Sequence, residues 1–357
     1  MIQHIVLSGG GVCGFAFYTA LRESFREGFW NYDDLQTIYG TSAGAILSVL
    51  LAMGNKLPWE ALDAFMLRRP WHRLFKFNVE TMVGALMRKG MFDVTLVEEI
   101  FDPLFRALDV PRDVTLQQLY DVTGKTVHLV TVELHSFRMV DLSHQTHPDW
   151  RVVDAVYASM GLPVLCIPYE CDGGLYADGG LLSNFPLQLC LDNGAKAEEI
   201  LGLRISVPSM QKGAPESKPP ALSNLVDLIT YLLRRMLKQC ALPEPTHVRN
   251  IVNIYVPWEM ISLVDIYQAT SDQTVRQQLM DQGVADWQAF WTQRKQEQEQ
   301  EQEQEQGKEG KEGKEGKEGQ EGKEGKEGQE ADQGTEGIED EPNNEQKEEK
   351  SNEDPTR

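Results

Sequence analysis

The chain has 357 residues, with 34 Lys and Arg against 55 Asp and Glu and a net charge of −21. That balance argues against nucleic acid as a partner of the whole chain. The cysteines (Cys13, Cys166, Cys171, Cys190 and Cys240) are odd in number and form no C-x-x-C pair, which argues against a disulfide scaffold or zinc site and for a reducing compartment.

Residues 2–7 are rich in β-branched side chains and read as a strand. Because that strand follows the first residue so closely, no cleaved signal peptide is expected, and the chain reads as cytoplasmic with membrane contact only at the periphery. Next comes Ser8-Gly9-Gly10-Gly11-Val12-Cys13-Gly14, and residues 15–27 read as a helix. A glycine loop between strand and helix lets consecutive amides converge on one anion, either a phosphate or the oxyanion of an acyl transfer. Gly9, Gly11 and Gly14 also satisfy G-x-G-x-x-G, but Asp33 and Asp34 precede the next apolar run instead of closing it, which disfavours a dinucleotide fold.

Ser42 lies in Gly40-Thr41-Ser42-Ala43-Gly44, between a short apolar run and the helix-forming stretch 43–53. This G-x-S-x-G arrangement predicts a serine on a tight strand-to-helix turn, with the amides of the new helix pointing back at it. Alone, the pentapeptide fits an ordinary Gly/Ser turn equally well. The stretch 43–53 is too short to span a bilayer. Residues 57–92 interleave aromatic and basic side chains, among them Trp59, Phe65, Arg68, Arg69, Trp71, His72, Arg73 and Phe75. They are the best candidate for a membrane-facing or lid surface, although the pattern favours a helical layer with aromatics inward and arginines exposed.

Residues 93–108 and 115–120 read as helices, the second with Thr115 as N-cap, and residues 126–133 and 137–142 as a strand pair. His144 and His147 sit in a polar loop that reads as surface, not as a metal site. Residues 149–159 read as a helix ended by Met160-Gly161-Leu162-Pro163. The segment 167–186 holds two Asp-Gly-Gly triplets. Asp172-Gly173 falls between short strand-like runs, the setting of a type I′ hairpin. Asp178 follows the second run, where a strand end could deliver a carboxylate to a site, or could simply turn. Further on, residues 223–239 form an amphipathic helix candidate, 248–256 a late strand and 264–291 a closing helical stretch. From 292 the chain becomes Glu-Gln alternation and Gly-Lys-Glu triplets, with 11 basic and 23 acidic residues, and reads as a disordered, solvated tail.

Three blocks stand out together: Gly9 to Gly14, Gly40 to Gly44, and Asp178-Gly179-Gly180 with Asn184 and Pro186 downstream. In order and spacing they resemble the patatin-like phospholipase family, and Ala158 to Pro163 resembles the segment before that family's aspartate block. The likeness covers residues 1–206, more weakly beyond. It implies a three-layer α/β fold, with a central mostly parallel sheet flanked by helices, and a division into a core (1–206), a packed extension (207–291) and the tail (292–357). Ser42 would be the nucleophile and Asp178 its base, a dyad without histidine. Gly9, Gly10 and Gly11 would supply oxyanion-hole amides, with Gly14, Gly40, Gly44, Gly179 and Gly180 as structural support. The implied activity is a lipid acyl hydrolase of phospholipase A type needing no cofactor or metal, with a membrane phospholipid or other lipid ester as substrate. Transacylation by the same dyad, or a catalytically silent membrane-binding module, are the alternatives. The family commonly carries Arg or Lys where this chain has Cys13, so a charge expected near the oxyanion loop is missing.

Overall fold

The computed structural model describes residues 1–76, 84–85, 87–206, 228, 247–255 and 263–321. Apart from Leu228, the amphipathic helix expected over 223–239 lies outside them. The described strands are β1 (His4–Leu7), β2 (Thr37–Thr41), β3 (Gly90–Phe92), β4 (Thr126–Glu133), β5 (Arg138–Leu142), β6 (Val164–Cys166), β7 (Tyr169–Cys171), β8 (Gly174–Asp178), β9 (Ile200–Ser206) and β10 (Ile251–Tyr255). Eight of them make one sheet in the order β10-β9-β1-β2-β4-β8-β7, with β5 also paired to β4, while β3 and β6 form a separate parallel pair. From β10 to β4 the neighbours are parallel; β5 pairs antiparallel with the second edge of β4, and β8, itself antiparallel to β7, pairs antiparallel with β4 beyond the end of β2.

Central parallel strands are covered on both faces, which is why β1 and β2 read as continuous apolar runs and not as alternating ones. Ile5, Leu7, Ile38, Leu201 and Leu203 belong to one apolar cluster, and Val6, Tyr39 and Ile200 to a second on the opposite face. The first cluster takes in the helices Gly14–Arg26, Ala43–Met53, Thr95–Ala107 and Val152–Met160, the second the short helix Leu187–Asp192. The result is three layers, an α/β fold with helices on either side of a mostly parallel sheet.

Several local expectations are met. Thr115 caps the helix Leu116–Thr123 through a capping box with Gln118. Asp172 and Gly173 both take positive φ, 49° and 78°, and join β7 to β8 as a two-residue hairpin. Of the aromatic and basic segment 57–92, residues 77–83 and 86 lie outside the described ones. Phe65, Trp71 and Phe75 pack into the main cluster, whereas Arg68, His72 and Arg73 are exposed.

Residues beyond 206 complete the core. β10 extends the sheet beside β9. The expected closing stretch is two helices, Leu263–Ser271 and one starting at Gln273, separated at Asp272. Thr19 Oγ1 donates to the carbonyl of Met280 at 2.7 Å, the backbone N–H of Tyr255 donates to Asp286 Oδ2 at 2.9 Å, and Trp287 is fully buried against Phe29. The helix from Gln273 has a backbone that is helical to Glu321, past the start of the expected tail at 292; the Gln-Glu alternation that carries it as far as Gln306 is built of good helix formers. Residues Met1–Gln296 form one compact unit, which the chain leaves at Glu297.

Gly283 is the point where the closing helix crosses the helix Gly14–Arg26. A Cβ there would collide with the carbonyl oxygen of Ala16 and the hydroxyl of Thr19. Gly283→Ala is therefore expected to cost roughly 2 kcal/mol or more of stability in urea unfolding, whereas Ala at Gly194, which has open space around it, should cost only what its positive φ imposes.

Candidate active site

Two strand ends meet on one edge of β4. β5 occupies the other edge over residues 129–133, so β2 and β8 must divide this one. β2 ends with Thr41 beside Val130, and β8 ends with Asp178 beside Thr131. Adjacent residues of a single strand thus set the spacing between Ser42 and Asp178. Ser42 Oγ donates to Asp178 Oδ2 at 2.7 Å.

The turn that carries Ser42 is strained. Its φ of 55° and ψ of −119° lie where non-glycine residues are rare. The hydroxyl of Ser159 compensates, accepting from the amide of Ser42 at 3.0 Å while donating to the carbonyl of Val130 at 2.6 Å. Close contacts explain the small residues around the turn. A Cβ on Gly44 would lie 2.5 Å from the carbonyl oxygen of Leu7, one on Gly40 would strike the Ser48 hydroxyl, and one on Gly179 would strike the Val130 carbonyl. Gly14 is less constrained, the nearest atom to such a Cβ being 3.6 Å away.

The glycine loop divides its amides unequally. Gly9 donates its N–H to the carbonyl of Asn184 at 2.8 Å, and the side-chain amide of Asn184 donates back to the Gly9 carbonyl at 3.3 Å. Gly9 is therefore clamped, and its amide is not available to an oxyanion, which corrects the expectation that all three glycines donate. Gly10 and Gly11 line the same cavity as Ser42, and their amides have no acceptor among the described residues. Cys13, where a basic residue was expected, is a fully buried core thiol whose pKa is pushed up to about 12, first by burial and then by the carboxylate of Asp265.

Asp178 is buried, and desolvation lifts its pKa to about 6. The hydrogen bonds from Ser42 and from the amide of Gly180, at 2.7 Å to Oδ1, pull the other way without cancelling it. Ser42 and Asp178 open onto a cavity of about 170 Å³ whose other walls are chiefly apolar, including Phe65, Trp71, Phe101 and Leu162. No histidine is among its described lining residues.

A family model, described as patatin-like phospholipase, matches residues 5–191, a range that contains all three glycine-bearing blocks. The chain belongs to the patatin-like phospholipase family. Among its relatives is an uncharacterized protein, R571, of Acanthamoeba polyphaga mimivirus, 28% identical over 192 residues that make up 54% of this chain and 62% of that protein. Another is a probable lipid hydrolase, 463L, of Invertebrate iridescent virus 6, 22% identical over 189 residues, 52% of this chain and 62% of that one. The chain thus spans less than two thirds of the length of these patatin-like relatives. VipD from Legionella pneumophila, a solved structure, is 18% identical with a TM-score of 0.43, over 78% of this chain and 67% of that one.

Of the residues singled out in the sequence, Ser42, Asp178, Gly10, Gly11, Gly14 and Gly180 share the cavity with Asn184, while Gly9 supports it from behind. Ser159 was overlooked as a support of the turn. It sits in the Ala158 to Pro163 segment, and its polarity within a wholly buried helix was the available signal.

Two consequences can be measured. Because the folded pKa of Asp178 is raised above its unfolded value, the folded state holds this proton more tightly, so stability falls as pH rises from about 4 to about 6, by about 3 kcal/mol. Urea unfolding at stepped pH should show that component in the wild type and not in Asp178→Asn. In the same assay Ser42→Gly, which relaxes the strained turn, should exceed Ser42→Ala by about 1 kcal/mol.

Proposed function

We propose that the chain is a lipid acyl hydrolase of phospholipase A type acting through Ser42 and Asp178. The observation that carries this reading is the 2.7 Å hydrogen bond between Ser42 Oγ and a desolvated Asp178 carboxylate at an apolar cavity. Family membership and the lipid-hydrolase name of one relative support it.

A serine hydroxyl is a weak nucleophile until a positioned base takes its proton. Asp178 Oδ2 is that base. As Ser42 Oγ attacks the ester carbonyl, the proton passes to Asp178 and the carbonyl oxygen acquires charge toward the amides of Gly10 and Gly11. Protonated Asp178 then gives the proton to the departing alcohol, leaving Ser42 acylated. In the second half Asp178 takes a proton from water, the hydroxide adds to the acyl carbonyl, and the acid departs as Ser42 recovers its proton. The Gly180 amide on Oδ1 keeps Oδ2 directed at Ser42 throughout. A pKa near 6 makes Asp178 a better-matched base at neutral pH than an ordinary carboxylate. No step requires a metal or cofactor. The proposal includes the division into core, packed extension and tail at residues 206 and 291, a lipid ester as substrate and peripheral contact with membranes. A transacylase would differ only in the acceptor that meets the acyl-enzyme.

Fatty-acid release from phospholipid vesicles and turnover of a soluble short-chain ester test the reading. Ser42→Ala and Asp178→Asn are each expected to lower the rate by about 10³-fold or more. A fluorophosphonate should label Ser42, and wild-type kcat/KM should fall on acidification through about pH 6 as Asp178 takes up a proton. A wild type inactive on both substrates and resistant to the fluorophosphonate would leave a catalytically silent membrane-binding module.

A further inference from the structure

Two segments that wall the cavity are accompanied by exposed basic and apolar side chains. They are the turn Trp71–Arg73 and the helix Leu263–Ser271, and they pack against each other. Trp71 contributes to the cavity from the first, Ile266 and Thr270 from the second. Side chains one turn apart on a helix share a face, and the helix uses two faces. Val264 and Tyr267 are 61% and 53% exposed, on the side away from Ile266. In the turn that packs against this helix His72 and Arg73 are exposed, and so is Arg68 at the end of the preceding helix Trp59–Arg68. Arg69 is used differently, donating to the backbone carbonyls of Ile100 and Glu99 and stacking over Phe65 and Trp71.

We propose that this face docks on an anionic lipid bilayer, with Val264 and Tyr267 entering the interfacial layer and Arg68 and Arg73 meeting lipid phosphates. The inference rests on the lipid-hydrolase reading for its purpose and on the surface chemistry for its content. A chain with net charge −21 is repelled by an anionic surface except where positive charge faces it, so a local basic cluster fixes orientation as well as affinity. Exposed apolar side chains next to that cluster add the hydrophobic contact that distinguishes a lipid surface from a merely acidic one. Docking in this orientation sets the bilayer against the outside of the wall whose inside is the apolar cavity.

The test is co-sedimentation of the full chain, carrying Ser42→Ala so that lipid is not consumed, with vesicles of phosphatidylcholine alone or mixed with phosphatidylserine. Binding should be at least about tenfold tighter to the mixed vesicles, each arginine contributing about fivefold. In the same background the pair Arg68→Gln and Arg73→Gln should weaken it by about tenfold or more, and the pair Val264→Asp and Tyr267→Asp should abolish it. Placed in the chain with Ser42 intact, both pairs should leave soluble-ester turnover unchanged, which also shows that they fold. Equal binding to both vesicle types, or undiminished binding by either pair, overturns the proposal. Ester turnover without vesicle binding removes the docking surface and keeps the hydrolase, whereas the predicted vesicle pattern without turnover of any ester does the reverse.

Discussion

A strand edge can accept one partner at each position, and the site depends on how β4 shares its edge between two. β2 pairs as far as Val130 and β8 begins at Thr131, so β2 must leave the sheet at Thr41 to make room. The chain departs through Ser42 at φ 55°, a conformation costing on the order of 1–3 kcal/mol that the surrounding packing has to hold. Ser159 holds it by taking the Ser42 amide while anchored to Val130, the residue at which the edge changes hands. Gly40, Gly44 and Gly179 follow from the same crowding, since each would drive a Cβ into backbone or side chain within this junction. The short distance between Ser42 and Asp178 is thus a product of strand pairing before it is one of side-chain chemistry.

Desolvation links the junction to the cavity. The same apolar surroundings that suit a hydrocarbon chain deny the Asp178 carboxylate its hydration, and its pKa rises accordingly. Two hydrogen bonds temper the rise, and both also aim the group, one at Ser42 and the other at the Gly180 amide. Under the proposed mechanism a single feature would therefore accommodate the acyl chain and tune the base.

Local chemistry was legible in the sequence, and contacts across long separations were not. The turn at Ser42, the hairpin at Asp172-Gly173 and the cap at Thr115 each depend on a few neighbouring residues whose types dictate the backbone. β1 could be read because burial on both faces leaves the unbroken apolar run Ile5-Val6-Leu7, whereas its parallel neighbour β9 is not among the strands expected from the sequence. By contrast, the clamp on Gly9 comes from Asn184, 175 positions away, and no local pattern in the glycine loop could distinguish the engaged amide of Gly9 from those of Gly10 and Gly11. Nor could the alternation of residues 57–92 alone prove that Phe65, Trp71 and Phe75 wall a cavity, because that depends on the packing of a helix some two hundred residues later.

Cys13 shows how such a distant element constrains what the loop can carry. The position is sealed, in contact distance of any Cβ at Gly10, and the Asp265 carboxylate of the late helix lies near enough to raise the thiol further. A cation placed here would lose its hydration and would have to recover that loss from Asp265. A neutral thiol avoids the exchange and fills the core. Under the proposed mechanism, stabilisation of the oxyanion in this chain therefore falls to oriented backbone amides, whose dipoles are fixed by the Asn184 clamp behind them and need no charged side chain in front.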